Sequence, residues 1–499
     1  MSTGGRDIRA WKERDGVEAG ARESPDDDFT TGHVTMDVLM WCTPLERRTS
    51  EEKRVTDKVL AGWGNYPKAR CEVLSPEREA DVKSSLTALG TALRGLGRSY
   101  GDQATNDGGR VLEMTRLDRY LSFNEAKGIL CCEAGVSLEQ LLRDFAPKGW
   151  FPMITPGTKF VTIGGCIAND IHGKAHHVDG TFANCVESFT ILCADGEVRH
   201  ASRDKNSELF WANFGGLGLL GVILTATIKL RRVETTYFVQ RAVNVSCLDE
   251  LLEAFEHYDK EFPYSVAWVD PRAVGSRLGC GVLTLGAHAT PGDLSPGQAA
   301  SPLVVTNPSP VKVPFEMPNM SLNPLTLRIL NVLIHQVQAR GAAIAHYEKF
   351  FYPLDFVGEW NRGYGSRGFT QYQFVVPLAG AAQMRRILET IANSRFLPFL
   401  NVLKKFGVAQ KDAVLSFPFE GYTFAIDFPI ERGLGDFLAR LDEMVHEVGG
   451  RIYLGKDAFL SEGMFKKMYP RHVEWLEVKH QYDPEGLFTS DIGRRVGLV

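Results

Sequence analysis

Three glycine-dense segments lie within residues 94–223 and restrict this chain more than any other feature. The first is Arg94-Gly95-Leu96-Gly97-Arg98-Ser99-Tyr100-Gly101-Asp102. It follows a strand pattern, no helical pattern succeeds it, and its third glycine falls one residue late for the G-x-G-x-x-G that opens a dinucleotide-binding helix. A nicotinamide site of that kind is excluded. The loop instead offers a turn whose backbone N–H groups point inward together, a nest for a pyrophosphate, with Arg98 adding charge and Ser99 a hydroxyl. Alone, it reads more readily as a plain turn.

The second segment runs from Pro156-Gly157-Thr158 into Thr162-Ile163-Gly164-Gly165-Cys166-Ile167-Ala168-Asn169-Asp170-Ile171-His172-Gly173-Lys174. Paired glycines followed by small residues let the main chain approach a flat or phosphorylated ligand without clash. Asn169, Asp170, His172, Lys174, His176 and His177 are then held beside that ligand. The three histidines lack the helical i, i+4 pairing and glutamate of a zincin, so no metal is expected. The third segment, Asn213 to Ile223, joins a predicted helix over Ser207–Asn213 to a strand, and by itself would be a helix C-cap. Each glycine costs unfolded-chain entropy, so three such segments in one region favour one long ligand lying across them.

A chain of 499 residues with 44% hydrophobic and 23% charged residues has room for two or three ordinary globular domains. Its net charge of -5 leaves no basic footprint, so no nucleic-acid partner is expected. Nine cysteines, an odd number with no Cys-x-x-Cys spacing, read as reduced core thiols. No apolar run approaches the ~18–20 residues of a spanning helix, and the N-terminus lacks the order of a secretion signal.

Residues 1–55 show no sustained apolar period and are expected to be a disordered extension, with Val38 to Trp41 the one short apolar stretch. Over 56–235 short strands alternate with glycine turns, with strands predicted at Thr91–Leu93, Arg110–Met114, Gly128–Glu133, Ser188–Cys193 and Gly221–Leu230. Helices are predicted to open at Ser75-Pro76-Glu77 and at the capping box Ser137-Leu138-Glu139-Gln140, and Asp195-Gly196 marks a hairpin. Residues 236–448 form a second region with longer helices and aromatic strands, Phe369 to Pro377 and Tyr422 to Pro429. Within it, 289–324 is dense in Pro, Ser, Gly and Asn and is expected to be a mobile flap. A return over 449–499 starts with a strand, Arg451 to Leu454. The class is α+β rather than a regular βαβ series.

At these glycine segments the chain resembles the FAD-linked oxidases of the vanillyl-alcohol oxidase (PCMH-type) fold, most of all the decaprenylphosphoryl-β-D-ribose 2′-oxidase branch. The resemblance runs from about residue 60 to the C-terminus. It rests on Arg94 to Asp102, Asp170-Ile-His-Gly-Lys174, Gly358-Glu-Trp-Asn-Arg362, Gln371-Tyr-Gln-Phe374 and Asp427-Phe-Pro-Ile430. It implies a two-part FAD-binding domain (56–235 with 449–499) and an α+β substrate domain (236–448) built on an antiparallel sheet. FAD contacts are implied at Arg94, Gly95, Leu96, Gly97, Arg98, Ser99, Tyr100, Gly101, Pro156, Gly157, Thr158, Thr162, Ile163, Gly164, Gly165, Ala168, Asn169, His172, Gly173, Lys174, His177, Gly218, Gly221, Ile223 and Tyr453. Covalently flavinylated relatives carry a histidine where this chain has Arg98, so the resemblance implies non-covalent FAD.

The activity implied is hydride loss from the 2′-carbon of a polyprenyl-phosphate ribose to the flavin, giving a keto sugar. A partner reductase then completes an epimerisation, and a quinone or oxygen takes the electrons. Carried over residue by residue, Lys174, Trp268, Gln371, Gln373, Lys404, Phe406, Ala425 and Lys456 line the sugar side, with Lys456, His172 and Tyr100 as catalytic candidates. Lys456 leads, because a buried lysine can accept the carbinol proton or face the negative edge of reduced flavin. The chain departs from the branch at Ala425 (a cysteine there), Thr423 (an asparagine) and Phe351-Tyr352 (a Tyr-His pair), which leaves the sugar and its lipid open. The alternatives are a soluble polyol or aldonolactone as substrate, and a flavin-binding scaffold without turnover. Trp360 and Phe374 read as core aromatics. The pattern Leu325 to Val337 reads first as a helix packed on the substrate sheet, and second as a cover for a lipid tail or a bilayer contact. Relatives act on a membrane lipid without a signal of their own, so a cytoplasmic or peripheral setting is expected with the periplasmic face left open.

Overall fold

A computed structural model describes residues 56–86, 90–306, 311–319, 323, 326 and 342–499. The expected N-terminal extension with Val38 to Trp41 lies outside the described residues, as does Leu325 to Val337 apart from Thr326. The described residues belong to one compact unit.

Three sheets organise it. The first is four-stranded, in the order Thr56–Ala61, Lys68–Leu74, Arg110–Glu113, Thr91–Arg94, with its last two pairings parallel. Thr91–Arg94 therefore ends at the sheet's carboxyl edge, and the first glycine segment starts there. The second runs Tyr120–Asn124, Ile129–Glu133, Val222–Arg232, Val186–Leu192, Val198–Ser202, with Trp150–Pro152 on the far half of Val222–Arg232. Gly196, at φ 78°, closes the hairpin between Val186–Leu192 and Val198–Ser202.

The third sheet has eight strands, in the order Ala343–His346, Tyr237–Val245, Gly281–His288, Tyr264–Val269, Asn401–Phe406, Gly421–Pro429, Phe369–Pro377, Arg451–Ile452. Phe369–Pro377 and Gly421–Pro429 are buried almost throughout because both faces are covered. One face carries the helices Ala381–Ala392 and Leu434–His446, where Tyr372 OH donates to Asp442 Oδ1 at 2.9 Å. Side chains alternate along a strand, so Gln371, Gln373, Thr423, Ala425 and Asp427 share the opposite face. The register sets Gln371 against Asp427, Gln373 against Ala425, and Lys404 against Thr423.

Two local expectations shift. The helix placed at Ser75 starts instead at Glu79: the Ser75 hydroxyl is turned to Glu113 Oε2, to which it donates (3.2 Å), instead of accepting from an N–H of the following turn. The strand after Gly450 stops at Ile452 and belongs to the large sheet. The chain rejoins the glycine-rich part only beyond it, where Trp475 Nε1 donates to Ala212 O (2.8 Å) and Lys479 Nζ to Leu219 O (2.7 Å). The Ser137–Gln140 capping box forms as written. In the proline-rich segment, Thr236 N donates to Pro302 O, Val313 N to Gly358 O and Met317 N to Arg362 O, at 2.8–2.9 Å.

Candidate active site

The three glycine segments, far apart in sequence, wall one cavity of about 800 Å³ whose other side is the open face of the eight-stranded sheet. Residues 94–100, 156–158, Thr162, Gly164, Gly165, Ala168, Asn169, 172–174, Gly218, Gly221, Ile223 and Tyr453 line it. So do Trp268, Gln371, Lys404, Ala425 and Lys456. A volume of this size sits high in the ~300–1,000 Å³ usual for ligand sites.

Five expected contacts stand outside the wall. Ile163 is fully buried in the core. At Gly101 a Cβ would lie 2.1 Å from Asp457 O, so this glycine admits a close approach of the C-terminal chain rather than a ligand. His177 turns away, its Nε2 3.0 Å from Phe262 O. Gln373 and Phe406 form a second layer: the Gln373 amide reaches His172 Nε2 at 3.1 Å, and the Phe406 ring packs 4.8 Å from the His172 ring. Trp360, expected in the core, reaches the cavity, edge-on to Trp63 at 5.8 Å. Trp63, beneath the Arg98 guanidinium at 3.9 Å, carries no glycine-loop signal and escapes a reading by motif.

Local geometry explains the loops. Gly97 (φ 64°) turns the first loop back over Arg94, whose guanidinium donates to Ala61 O (2.9 Å) and Ala104 O (3.2 Å); Arg94 thus braces the turn. The loop end is clasped to the C-terminus: Arg495 donates to both oxygens of Asp102 (2.9 and 2.7 Å) and to Asp457 Oδ2 (2.8 Å), beside Lys456. In the second segment Thr162 caps the helix Ile163–Ala168. Asp170, at φ 40°, accepts from Ala183 N (3.1 Å) and Ser416 Oγ (2.5 Å), which aims the following His172-Gly173-Lys174 at the cavity.

Lys456 Nζ donates to Gln371 Oε1 and stands 5.5 Å from the Tyr100 ring. Gln371 Nε2 donates to Asp427 Oδ1 (2.5 Å), and Tyr364 OH to Asp427 Oδ2 (3.0 Å). Burial holds the Lys456 ammonium below the usual lysine range and raises the Asp427 carboxyl, while their mutual attraction opposes both shifts. Tyr100 is driven well up by burial, then by the Asp427 charge, and stays a phenol. His172 is pushed well down by burial, then by Lys404, His176 and Lys456, so it is neutral. Because its Nε2 accepts from Gln373, its proton sits on Nδ1.

The family model described as an FAD binding domain matches residues 72–202, and that of D-arabinono-1,4-lactone oxidase matches residues 369–496. The decaprenylphosphoryl-beta-D-ribose oxidase of Mycolicibacterium smegmatis is 39% identical over 461 residues, covering 90% of this chain and 100% of that protein. The chain belongs to this oxidase family. L-gulono-1,4-lactone dehydrogenase of Mycobacterium tuberculosis is a more distant relative, 23% identical over 87% of this chain and 98% of its own length. The L-gulonolactone oxidase of Mus musculus is 30% identical over 39% of this chain and 41% of its length.

The protein is accordingly an FAD-dependent oxidoreductase of the PCMH-type fold. Its residues fit the cofactor. Arg98 Nε, Asn169 Oδ1 and His172 Nδ1 are buried without a partner among the described residues. A Cβ at Gly157 would meet no protein atom, and Gly97, Gly218 and Gly221 take positive φ where the main chain lines the cavity. Among the described residues no cluster of acidic, His or Cys side chains suits a metal ion, and no helix is long and apolar enough to cross a membrane.

Proposed function

We propose that this protein oxidises the 2′-hydroxyl of a polyprenyl-phosphate ribose to a ketone, as the first half of an epimerisation completed by a separate reductase. The observation that carries the reading is the meeting of the glycine-lined cavity with the Lys456–Gln371–Asp427 chain on one sheet face. The likeness to the decaprenylphosphoryl-beta-D-ribose oxidase of Mycolicibacterium smegmatis supports the choice of sugar. Residues 94–100 and 156–158 would hold the pyrophosphate of a non-covalently bound FAD, and Gly218 to Ile223 its adenine side. Once bound, FAD supplies the hydride acceptor, and a quinone or oxygen reoxidises it.

The chain's own residues handle orientation and the proton. The carbinol carbon gives up its hydrogen with the electron pair, and the hydroxyl proton passes to Lys456 Nζ, whose lowered affinity for a proton keeps a neutral fraction near physiological pH. Gln371 fixes where that nitrogen sits. Tyr100 remains a hydrogen-bond donor, and neutral His172 offers Nδ1–H. Thr423 donates to Phe374 O (2.8 Å) and accepts from Gln373 (3.1 Å), so the departure there keeps the second layer joined, whereas Ala425 widens the sugar wall.

The match of residues 369–496 to D-arabinono-1,4-lactone oxidase favours a second reading, a soluble aldonolactone or polyol as substrate. Anaerobic bleaching of the flavin separates the two: polyprenyl-phosphoryl ribose should bleach it, and bleaching by soluble lactones alone would overturn the first reading. Lys456→Met should keep FAD bound yet lose flavin reduction by ~10²–10⁴-fold, the range of a positioned acid–base group. Reduction at the normal rate would remove Lys456 from its role, whereas a wild-type flavin that no substrate bleaches would favour a scaffold without turnover.

A further inference from the structure

The turn Pro156-Gly157-Thr158 is held from outside the glycine-rich part of the chain. Strand Ala343–His346, at one edge of the eight-stranded sheet, leads into the short helix Tyr347–Phe351, and residues 353–355 beyond it line the cavity. Tyr352, where the resembled branch has a histidine, is fully buried, and its hydroxyl lies 2.6 Å from Thr155 Oγ1. Glu348 pairs with the Lys159 ammonium at 2.6 Å. Between those anchors, Asp355 Oδ2 accepts from Thr158 Oγ1 (3.1 Å) and from Lys159 N (3.0 Å). Thr155, Thr158 and Lys159 are thereby fixed on either side of Gly157, where a Cβ would meet no protein atom.

Asp355 is the member of this set that packing does not explain. Burial lifts its carboxyl pKa, and the Lys159 amide, the Thr158 hydroxyl and then the Arg98 and Lys159 cations oppose the rise. Arg98 belongs to the first glycine loop. Burial lowers the affinity of its guanidinium for a proton, and Asp355 is the foremost charge that counters this, ahead of Glu359. One carboxylate thus acts on two loops, by hydrogen bonds on the second and by charge on the first. Like-charge repulsion makes a carboxylate a poor neighbour for a pyrophosphate. Its place here is explained by the order it imposes on donors that would otherwise have to be fixed when the cofactor binds. We propose that Asp355 is a positioning residue for FAD, which preorganises the Gly157-Thr158 turn and the Arg98 guanidinium and makes retention of the cofactor depend on the substrate-sheet side of the molecule. This rests on the reading that places the pyrophosphate along residues 94–100 and 156–158.

The test dilutes the FAD-loaded enzyme and follows release of the cofactor by the fluorescence of free flavin. Asp355→Ala should release FAD about tenfold faster or more, the fold-change of a lost hydrogen bond to a charged acceptor. Asp355→Asn keeps an oxygen that can accept from Thr158 and Lys159, and should recover most of the loss. An Ala variant that cannot be loaded with FAD while the Asn variant can supports the acceptor role equally. In the double variant Asp355→Ala/Arg98→Met, release should be slower than the product of the two single effects, because part of the Asp355 effect passes through Arg98. Wild-type release from Asp355→Ala overturns the proposal, as does loss of FAD to the same degree from the Ala and Asn variants, and fully multiplicative effects overturn its reach to the first loop. Gly157→Leu distinguishes failure of the underlying reading: its side chain projects where no protein atom stands. Wild-type retention of FAD in that variant would mean that the pyrophosphate lies elsewhere, whereas FAD lost from Gly157→Leu but kept by Asp355→Ala would refute the role of Asp355 alone.

Discussion

Asp427→Asn tests the link between the sheet's register and the chemistry of Lys456. Asp427 is fully buried, opposite Gln371 in the strand pair, and separated from the Lys456 ammonium by a single amide. A carboxylate roughly 7 Å from an ammonium, at an effective dielectric of ~20, is worth about 2 kcal/mol, or about 1.5 pKa units. That attraction is what holds Lys456 up against burial. Asparagine keeps the volume and removes the charge, so desolvation acts unopposed and Lys456 should titrate about one unit or more lower. The assay is the rate of anaerobic flavin reduction from neutral to alkaline pH. Whether the step needs the neutral amine or the ammonium, the limb belonging to Lys456 should move to lower pH, because either population changes at the same point. A limb in the same place as in wild type would refute the chain Lys456–Gln371–Asp427 as an electrostatic unit.

Arg495→Met unpairs two carboxylates that are each about 5% exposed, and should cost ~3–5 kcal/mol, or ~6–10 °C in melting temperature at ~2 °C per kcal/mol. Adding Asp102→Asn should recover part of it, and a single variant melting with wild type would contradict the clasp. Gly97→Ala forces a side chain at φ 64° to within 2.3 Å of the Arg94 guanidinium, which should weaken FAD about tenfold for ~1–2 kcal/mol of strain; FAD titration of the stripped protein measures it. Lys174 and Lys404 titrate at about 7 in the folded protein against 10.5 in the open chain. The unfolded chain thus binds more protons between those values, and stability rises with pH through that window. Lys174→Met/Lys404→Met should flatten the rise in pH-dependent melting, and an equal slope in both proteins would contradict the burial of these ammoniums.

What the sequence revealed followed physical locality. The glycine segments announced a shared ligand because glycine's cost in the unfolded chain needs a return, and the Ser137–Gln140 box and the Asp195-Gly196 turn were readable because both are closed by neighbouring residues. Ser75 misled for the same reason in reverse: its hydroxyl is claimed by Glu113, 38 residues away. Gln373, in a family string, and Phe406, carried over as a pocket residue, both support His172 from behind, since family correspondence does not tell a wall from its backing. The Asp427 string was visible, but its partnership with Gln371 depends on strand register across 56 residues. Trp63 and the Arg495 clasp are long-range contacts that no local pattern encodes.

The most direct measurement is a crystal structure of the protein as purified with its flavin. The account predicts the pyrophosphate against the amides of residues 95–100 and 157–158, no bond between protein and isoalloxazine, and the ring's pyrimidine edge within reach of the Lys456 ammonium. A flavin whose ring lies away from Lys456, or a pyrophosphate that leaves those turns untouched, would contradict it.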